Sequence, residues 1–213
     1  MIVGLLVEAG ADVHEKMQGD MDSSYLPLTT ESFIDRAVRM FAALLGDEFI
    51  PSSVLEKTSP PQGTDEKTRQ KAHFELNALH LAVISKSVVK VKLFLQLGAE
   101  VNSKFIIKAE DLLLEAIPLH LATIWQDKDV ATRLIKAGSD VQATLPFKIS
   151  KLLSVEVTPL HLASLAENGD TVHGLLQLGA KDTSAIIRVA QMRVEMSAIH
   201  FAAINGSTAV TQL

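Results

Sequence analysis

Four short stretches, NALHLA (77–82), IPLHLA (117–122), TPLHLA (158–163) and SAIHFA (197–202), recur along a chain of 213 residues. Their histidines, His80, His120, His161 and His200, lie 40, 41 and 39 residues apart. A glycine follows 18 residues after each of the first three, at Gly98, Gly138 and Gly179. A period of this length with constant internal spacing marks a repeat architecture, in which one supersecondary unit is copied and each copy buries its apolar face against the next. No other property of the chain restricts its fold as much.

Between histidine and glycine the apolar pattern is helical. Leu79, Leu81 and Ala82 are followed by a polar break at Ser85–Ser87 and then by Val88, Val91, Leu93, Leu95 and Leu97, which predicts two short antiparallel helices. Asn77, Thr158 and Ser197 stand where a side chain caps free backbone N–H groups, and Pro118 and Pro159 suit the first helical turn. Gly98, Gly138 and Gly179 stand where a helix ends on a left-handed residue.

These motifs resemble the ankyrin repeat family. The family pattern T-P-L-H-x-A is matched in full by TPLHLA, while the other three copies depart at the first or second place. A Gly-Ala-Asp-Val-like sequence returns at Gly10–Val13, Gly98–Val101 and Gly138–Val141. The resemblance covers residues 77–213, and 1–14 through the last of these motifs alone. It implies an all-α solenoid of stacked helix pairs with β-hairpin fingers, and it implies that the four histidines hydrogen-bond within and between units near the start of each first helix. A zinc site is the competing reading of the histidines, but ligands about 2 Å from one ion do not fit one residue per stacked unit.

The usual ankyrin period is about 33 residues, so each unit here carries extra residues between glycine and histidine, where the gaps are 22, 23 and 21. KFIIKAEDLLLEA, LPFKISKLLSVEV and SAIIRVAQMRVEM each hold two apolar, strand-prone stretches around a more polar middle. They predict three long β-hairpins with turns near Glu110–Asp111, Lys151–Leu152 and Gln191–Met192. Five residues before each histidine stands a glutamate: Glu75, Glu115, Glu156 and Glu195. These turns are expected to set Glu115 opposite Lys108, Glu195 opposite Arg188 and Glu156 opposite Ile149, or else the glutamates form a carboxylate row along the fingers.

The N-terminal part is divided into residues 1–14, the end of a repeat, 15–50, a degenerate repeat or an inserted helix, and 51–76, a flexible insertion. The repeats proper occupy 77–213, the last cut short. Pro27–Leu28, the amphipathic run 32–45 and Gly46–Glu48 support the degenerate repeat, and the polar run PSSVLEKTSPPQGTDEKTRQK (51–71) supports the insertion. Because both ends fall inside repeats and open stacking faces need covering, the chain is expected to be part of a larger protein, or else its gene boundaries to be misplaced.

The formal net charge of −5 lacks the basic excess of a nucleic-acid binder, so no nucleic-acid partner is expected. Residues 1–76 hold 13 acids and 7 bases, so the acidity is concentrated there. There is no cysteine, which removes thiolate chemistry and Cys-ligated metal sites. No run approaches the ~20 apolar residues of a membrane span, and the apolar start lacks a basic n-region and a cleavage pattern. An intracellular protein is expected, cytoplasmic by default, with the nucleus as alternative. Gly-x-Ser-x-Gly, His-Glu-x-x-His and a phosphate-binding glycine loop are all missing. Glu167–Asp170 lacks the alternating ligands of a calcium loop. No cofactor, metal site or catalytic residue is expected.

The function expected is protein–protein interaction through a concave groove and the fingers. By resemblance, the partner-binding positions are Val83, Lys86, Thr123, Trp125, Gln126, Asp127, Ser164, Glu167 and Asn168 along the first helices. Lys108, Glu110, Lys148, Lys151, Arg188 and Arg193 are their counterparts on the fingers. Two alternatives are a structural spacer or self-assembling scaffold, in which neighbouring hairpins join into a continuous sheet, and a targeting segment of a larger enzyme or signalling protein.

Overall fold

A computed structural model describes residues 10–22, 71–109, 112–149 and 153–204 of the chain. The repeating unit is a strand hairpin followed by a helix pair. Strands β1 (Lys16–Asp22) and β2 (Lys71–Asn77) lead into helices α1 (Ala78–Ile84) and α2 (Val88–Gln96). Strands β3 (Phe105–Ala109) and β4 (Leu112–Ala116) lead into α3 (Pro118–Ile124) and α4 (Lys128–Lys136). Strands β5 (Leu145–Ile149) and β6 (Leu153–Val157) lead into α5 (Pro159–Leu165) and α6 (Gly169–Gln177). Strands β7 (Ala185–Val189) and β8 (Met192–Met196) lead into α7 (Ala198–Ile204).

Packing joins α1 to α3, α3 to α5 and α5 to α7, so the first helices form one row, and α2, α4 and α6 form a second row beside it. The second helices end as glycine dictates. Gly98, Gly138 and Gly179 take φ of +85°, +88° and +84°, which lets the following N–H groups of Ala99, Ser139 and Ala180 return to the carbonyls of Phe94, Leu134 and Leu175 at 3.0, 3.0 and 2.9 Å. The same left-handed turn at Gly10 (φ +96°) precedes β1.

The hairpins do not stand apart. The eight strands among the described residues hydrogen-bond into one antiparallel sheet in the order β1 to β8, with β2–β3, β4–β5 and β6–β7 ladders joining neighbouring hairpins as well as the ladders within each. This overturns the expectation of an all-α solenoid: the chain is a mixed α/β structure with a continuous sheet. The physical reason lies in the strand sequences, whose period of two sends Phe105, Ile107, Leu114, Phe147, Val155 and Ile187 to one face, each 1% exposed or less. Those side chains belong to the same core cluster as the helix residues Leu119, Leu134, Leu162 and Leu175. Edge N–H and C=O groups left over by one hairpin are satisfied by the next, which removes the exposed edges of isolated fingers.

β1 and β2 form the two arms of the first hairpin although residues 23–70 separate them. β2 takes in Lys71–Asn77, so the last part of the expected flexible insertion is strand. The degenerate repeat at Pro27–Leu28, 32–45 and Gly46–Glu48, the rest of the insertion, and both chain ends lie outside the described residues.

Register corrects three expected pairings. Glu115 lies opposite Ile106, not Lys108, and Glu195 opposite Ile186, not Arg188. Glu156 lies opposite Pro146, not Ile149. In the fourth hairpin the cause is visible: Val189 pairs with Met192, so the tip is Ala190–Gln191, one residue earlier than expected, with Ala190 at φ +51°. The expected turns at Glu110–Asp111 and Lys151–Leu152 lie outside the described residues.

Candidate functional site

The four histidines occupy the third position of the four first helices, and their geometry is built for connection. Nδ1 accepts the backbone N–H of the residue before each helix: Asn77 to His80 at 3.0 Å, Ile117 to His120 at 3.2 Å, Thr158 to His161 at 3.1 Å and Ser197 to His200 at 3.2 Å. That fixes Nε2 as the protonated nitrogen. It donates to the carbonyls of Ser103, Ala143 and Thr183 at 3.0, 3.0 and 2.7 Å for the first three histidines. Each of those three rings thus ties the start of its own helix pair to the loop that leads into the next hairpin. Burial pushes the imidazoles of His80 and His120 down to about 4 and lowers that of His161, outweighing the backbone acceptors that favour the charged form. His80, His120 and His161 therefore have both ring nitrogens engaged within the fold. Among the described residues no group of three or more His, Asp or Glu side chains is placed to hold a metal ion.

The expected positions on the first helices separate into two kinds. Val83, Thr123 and Ser164 are 1% exposed or less and offer nothing to a partner. Thr123 spends its hydroxyl on the Leu119 carbonyl at 2.8 Å. The others cluster at the turns between helices, where Lys86, Gln126 and Glu167 are exposed and take φ of +51°, +55° and +54°. Asp127 and Asn168 cap α4 and α6 by accepting the N–H groups of Val130 and Thr171, both at 3.1 Å. Turns of adjacent units touch: the Lys86 ammonium sits 5.4 Å from the Trp125 ring centre, within cation–π range, and the Gln126 amide donates to the Ala166 carbonyl at 3.3 Å.

The finger positions are brought together. On the outer face of the sheet, one rung crosses the strands through His73 and Lys108, Leu113 and Lys148, Ser154, Arg188 and Arg193. Residues directly opposite in a ladder point to the same face, so Lys108, Lys148, Arg188 and Arg193 form a row of four cations across β3, β5, β7 and β8. At about 4.8 Å per strand, Lys108, Lys148 and Arg188 follow one another at roughly 10 Å and Arg193 lies about 5 Å beyond Arg188. Two residues nearer the helices runs a second rung, through Gln18, Glu75, Ile106 and Glu115, and then Pro146, Glu156, Ile186 and Glu195. The β4–β5 ladder stops one step short of Pro146, which has no N–H to give.

The glutamates therefore do form a row, and all four are ion-paired. Glu75 meets Lys16, Glu115 meets Lys104 at 2.8 Å, Glu156 meets Arg188 at 2.8 Å and Glu195 meets Arg193 at 2.6 Å. Arg188 and Arg193, like charges directly opposite one another, are each relieved by a carboxylate. Lys108 and Lys148 are exposed and make no ion pair among the described residues. Glu110 and Lys151 lie outside the described residues. The apolar members of these rungs, Ile106, Leu113 and Ile186, are half-buried; strand alternation was the signal that places them there, but it needed the register.

The cation row stands on the strands and the turn residues at the far ends of the first helices, one helix length of about 10 Å away from the strand ends, so the two sets do not merge into one site. Comparison with known protein families and with curated proteins gives no match. No helix among the described residues is long and apolar enough to cross a membrane.

Proposed function

We propose that this chain is a non-catalytic protein-interaction module, built from ankyrin-like units, that holds an acidic segment of a protein partner across the outer face of its sheet. The observation that carries the reading is the cation row: Lys108, Lys148, Arg188 and Arg193 fall on one rung of one face, in a chain whose formal net charge is −5. A rigid sheet presents those charges at fixed spacing, and the paired glutamates behind them set the direction of the field, favouring an anion at the tips over one near the helices. Half-buried Leu113, between Lys108 and Lys148, supplies apolar contact of the kind found at the centre of interfaces. An intracellular setting, the default for a sequence without a recognisable signal peptide or membrane-spanning run, belongs to the same proposal.

Affinity capture with the intact chain, against a Lys108→Glu/Lys148→Glu variant, tests this. The native chain is expected to retain proteins with acidic segments that the variant loses, and capture by the native chain is expected to weaken as salt rises. Identical recovery by both would remove the sheet face from the function.

A further inference from the structure

The helix pairs carry a second, separate asymmetry. In the middle units the residue before the motif histidine and the residue after it are both buried: Leu119 and Leu121 at 0%, Leu160 at 2% and Leu162 at 0%. At the two ends of the row they part company. In α1, Leu79 is 0% exposed and Leu81 46%; in α7, Ile199 is 54% exposed and Phe201 0%. The residue before the histidine therefore faces the following unit and the residue after it faces the preceding one. Ile204 repeats the pattern at 45%, where its counterparts Ile124 and Leu165 are 1% and 3% exposed. On the opposite end Val89, 79% exposed, holds the place that Asp170 takes in α6, where it receives Lys128 from the preceding unit at 2.8 Å.

The α1 end thus displays the receiving half of the contact that recurs between units, and the α7 end displays the donating half. Each carries exposed apolar side chains. Among the described residues the sheet ends in the same sense, with β1 and β8 as its two outer strands. The register by which Glu75 meets Ile106 and Glu156 meets Ile186 between hairpins would set Glu195 of one copy opposite Gln18 of the next.

We propose that two copies of this chain associate head to tail, the α7 end of one seated on the α1 end of another, with Ile199 and Ile204 on the face that meets Leu81 and with β8 alongside β1. The contact is heterologous, so it propagates into longer assemblies unless its rotation closes a ring. It is independent of the charged sheet face proposed above.

Light scattering coupled to size exclusion over a concentration series tests it, with far-ultraviolet dichroism confirming that each variant is folded. The native chain is expected to grow beyond the monomer mass as concentration rises. Leu81→Glu and Ile199→Glu are each expected to be monomeric, because each destroys one half of the contact. Mixed together they are expected to recover a species of two chains and no larger, since each variant keeps the half the other lacks. A native chain that stays monomeric at every concentration overturns the proposal and leaves the end faces to another occupant, such as further units of a longer protein. Assembly that neither variant disturbs, or a mixture that stays monomeric, overturns it equally. Loss of acidic-partner capture in the Lys108→Glu/Lys148→Glu variant without change in mass keeps the two readings distinguishable.

Discussion

Lowering the pH is expected to unfold this protein through its histidines, and the size of the effect follows from their burial. The pKa values of His80 and His120 lie near 4 in the folded chain against 6.5 for the free side chain. Above pH 6.5 both states are neutral and the stability is whole. As the pH falls below 6.5 the unfolded chain binds protons that the folded chain refuses, so stability drops until the folded values are reached. Each histidine contributes about 1.4 kcal/mol per pH unit in that window, or about 2 kcal/mol by pH 5. For the pair that is roughly 4 kcal/mol, a large share of the 5–15 kcal/mol typical of a domain. His161 adds to the loss in the same direction. Geometry gives the reason the folded state resists: Nδ1 of His120 accepts the Ile117 N–H at 3.2 Å, so a proton placed there would set two donors against each other. Urea midpoints followed by circular dichroism at pH 7.5, 6.5, 5.5 and 5 would measure the slope. His120→Gln is expected to be less stable at neutral pH but to flatten the slope by about one proton. Stability that is level between pH 7.5 and 5, or a slope that His120→Gln leaves unchanged, would refute the reasoning.

Gly138→Ala is expected to cost about 1 kcal/mol in chemical denaturation, because φ is +88° and no atom lies within 4 Å of an added Cβ, leaving backbone strain as the cost. Glu167→Asn, at φ +54° in an exposed turn, is expected to raise the thermal midpoint, since Asn tolerates the left-handed region better. Phe147→Ala removes a fully buried ring from the inner face of the sheet and is expected to destabilise by about 3–5 kcal/mol. Glu156→Gln breaks a half-exposed ion pair with Arg188 and is expected to change stability by less than ~1 kcal/mol.

Helices and their ends were legible in the sequence because they are written locally: histidine, polar break and glycine at fixed spacing place α1 to α6 directly. The continuous sheet was legible only as an alternative, since Phe105, Ile107, Val155 and Val157 announce strands but not which strand lies beside them. Hairpin-to-hairpin ladders depend on how far apart the helix pairs hold their fingers, a distance absent from any one segment. The first hairpin was hidden further by residues 23–70 between its arms. Glu75 was the clue to β2, standing five residues before His80 as Glu115, Glu156 and Glu195 stand before their histidines. Among the positions expected to meet a partner, Lys108, Lys148, Arg188 and Arg193 share the outer face of the sheet because alternation in a strand keeps every second side chain out. Val83, Thr123 and Ser164 are instead buried, each three residues after its histidine, in the core.

The joined hairpins bear on how the molecule comes apart. In an array coupled only through its helices, a boundary between an ordered and a melted unit breaks one interface, and units can fray singly from either end. Here the same boundary must also open a strand ladder such as β4–β5 or β6–β7. Two couplings in parallel make that boundary dearer, so the described units are expected to melt as a block, and a load applied along the row would pull on the strand-to-strand hydrogen bonds as well as on the contacts between helices.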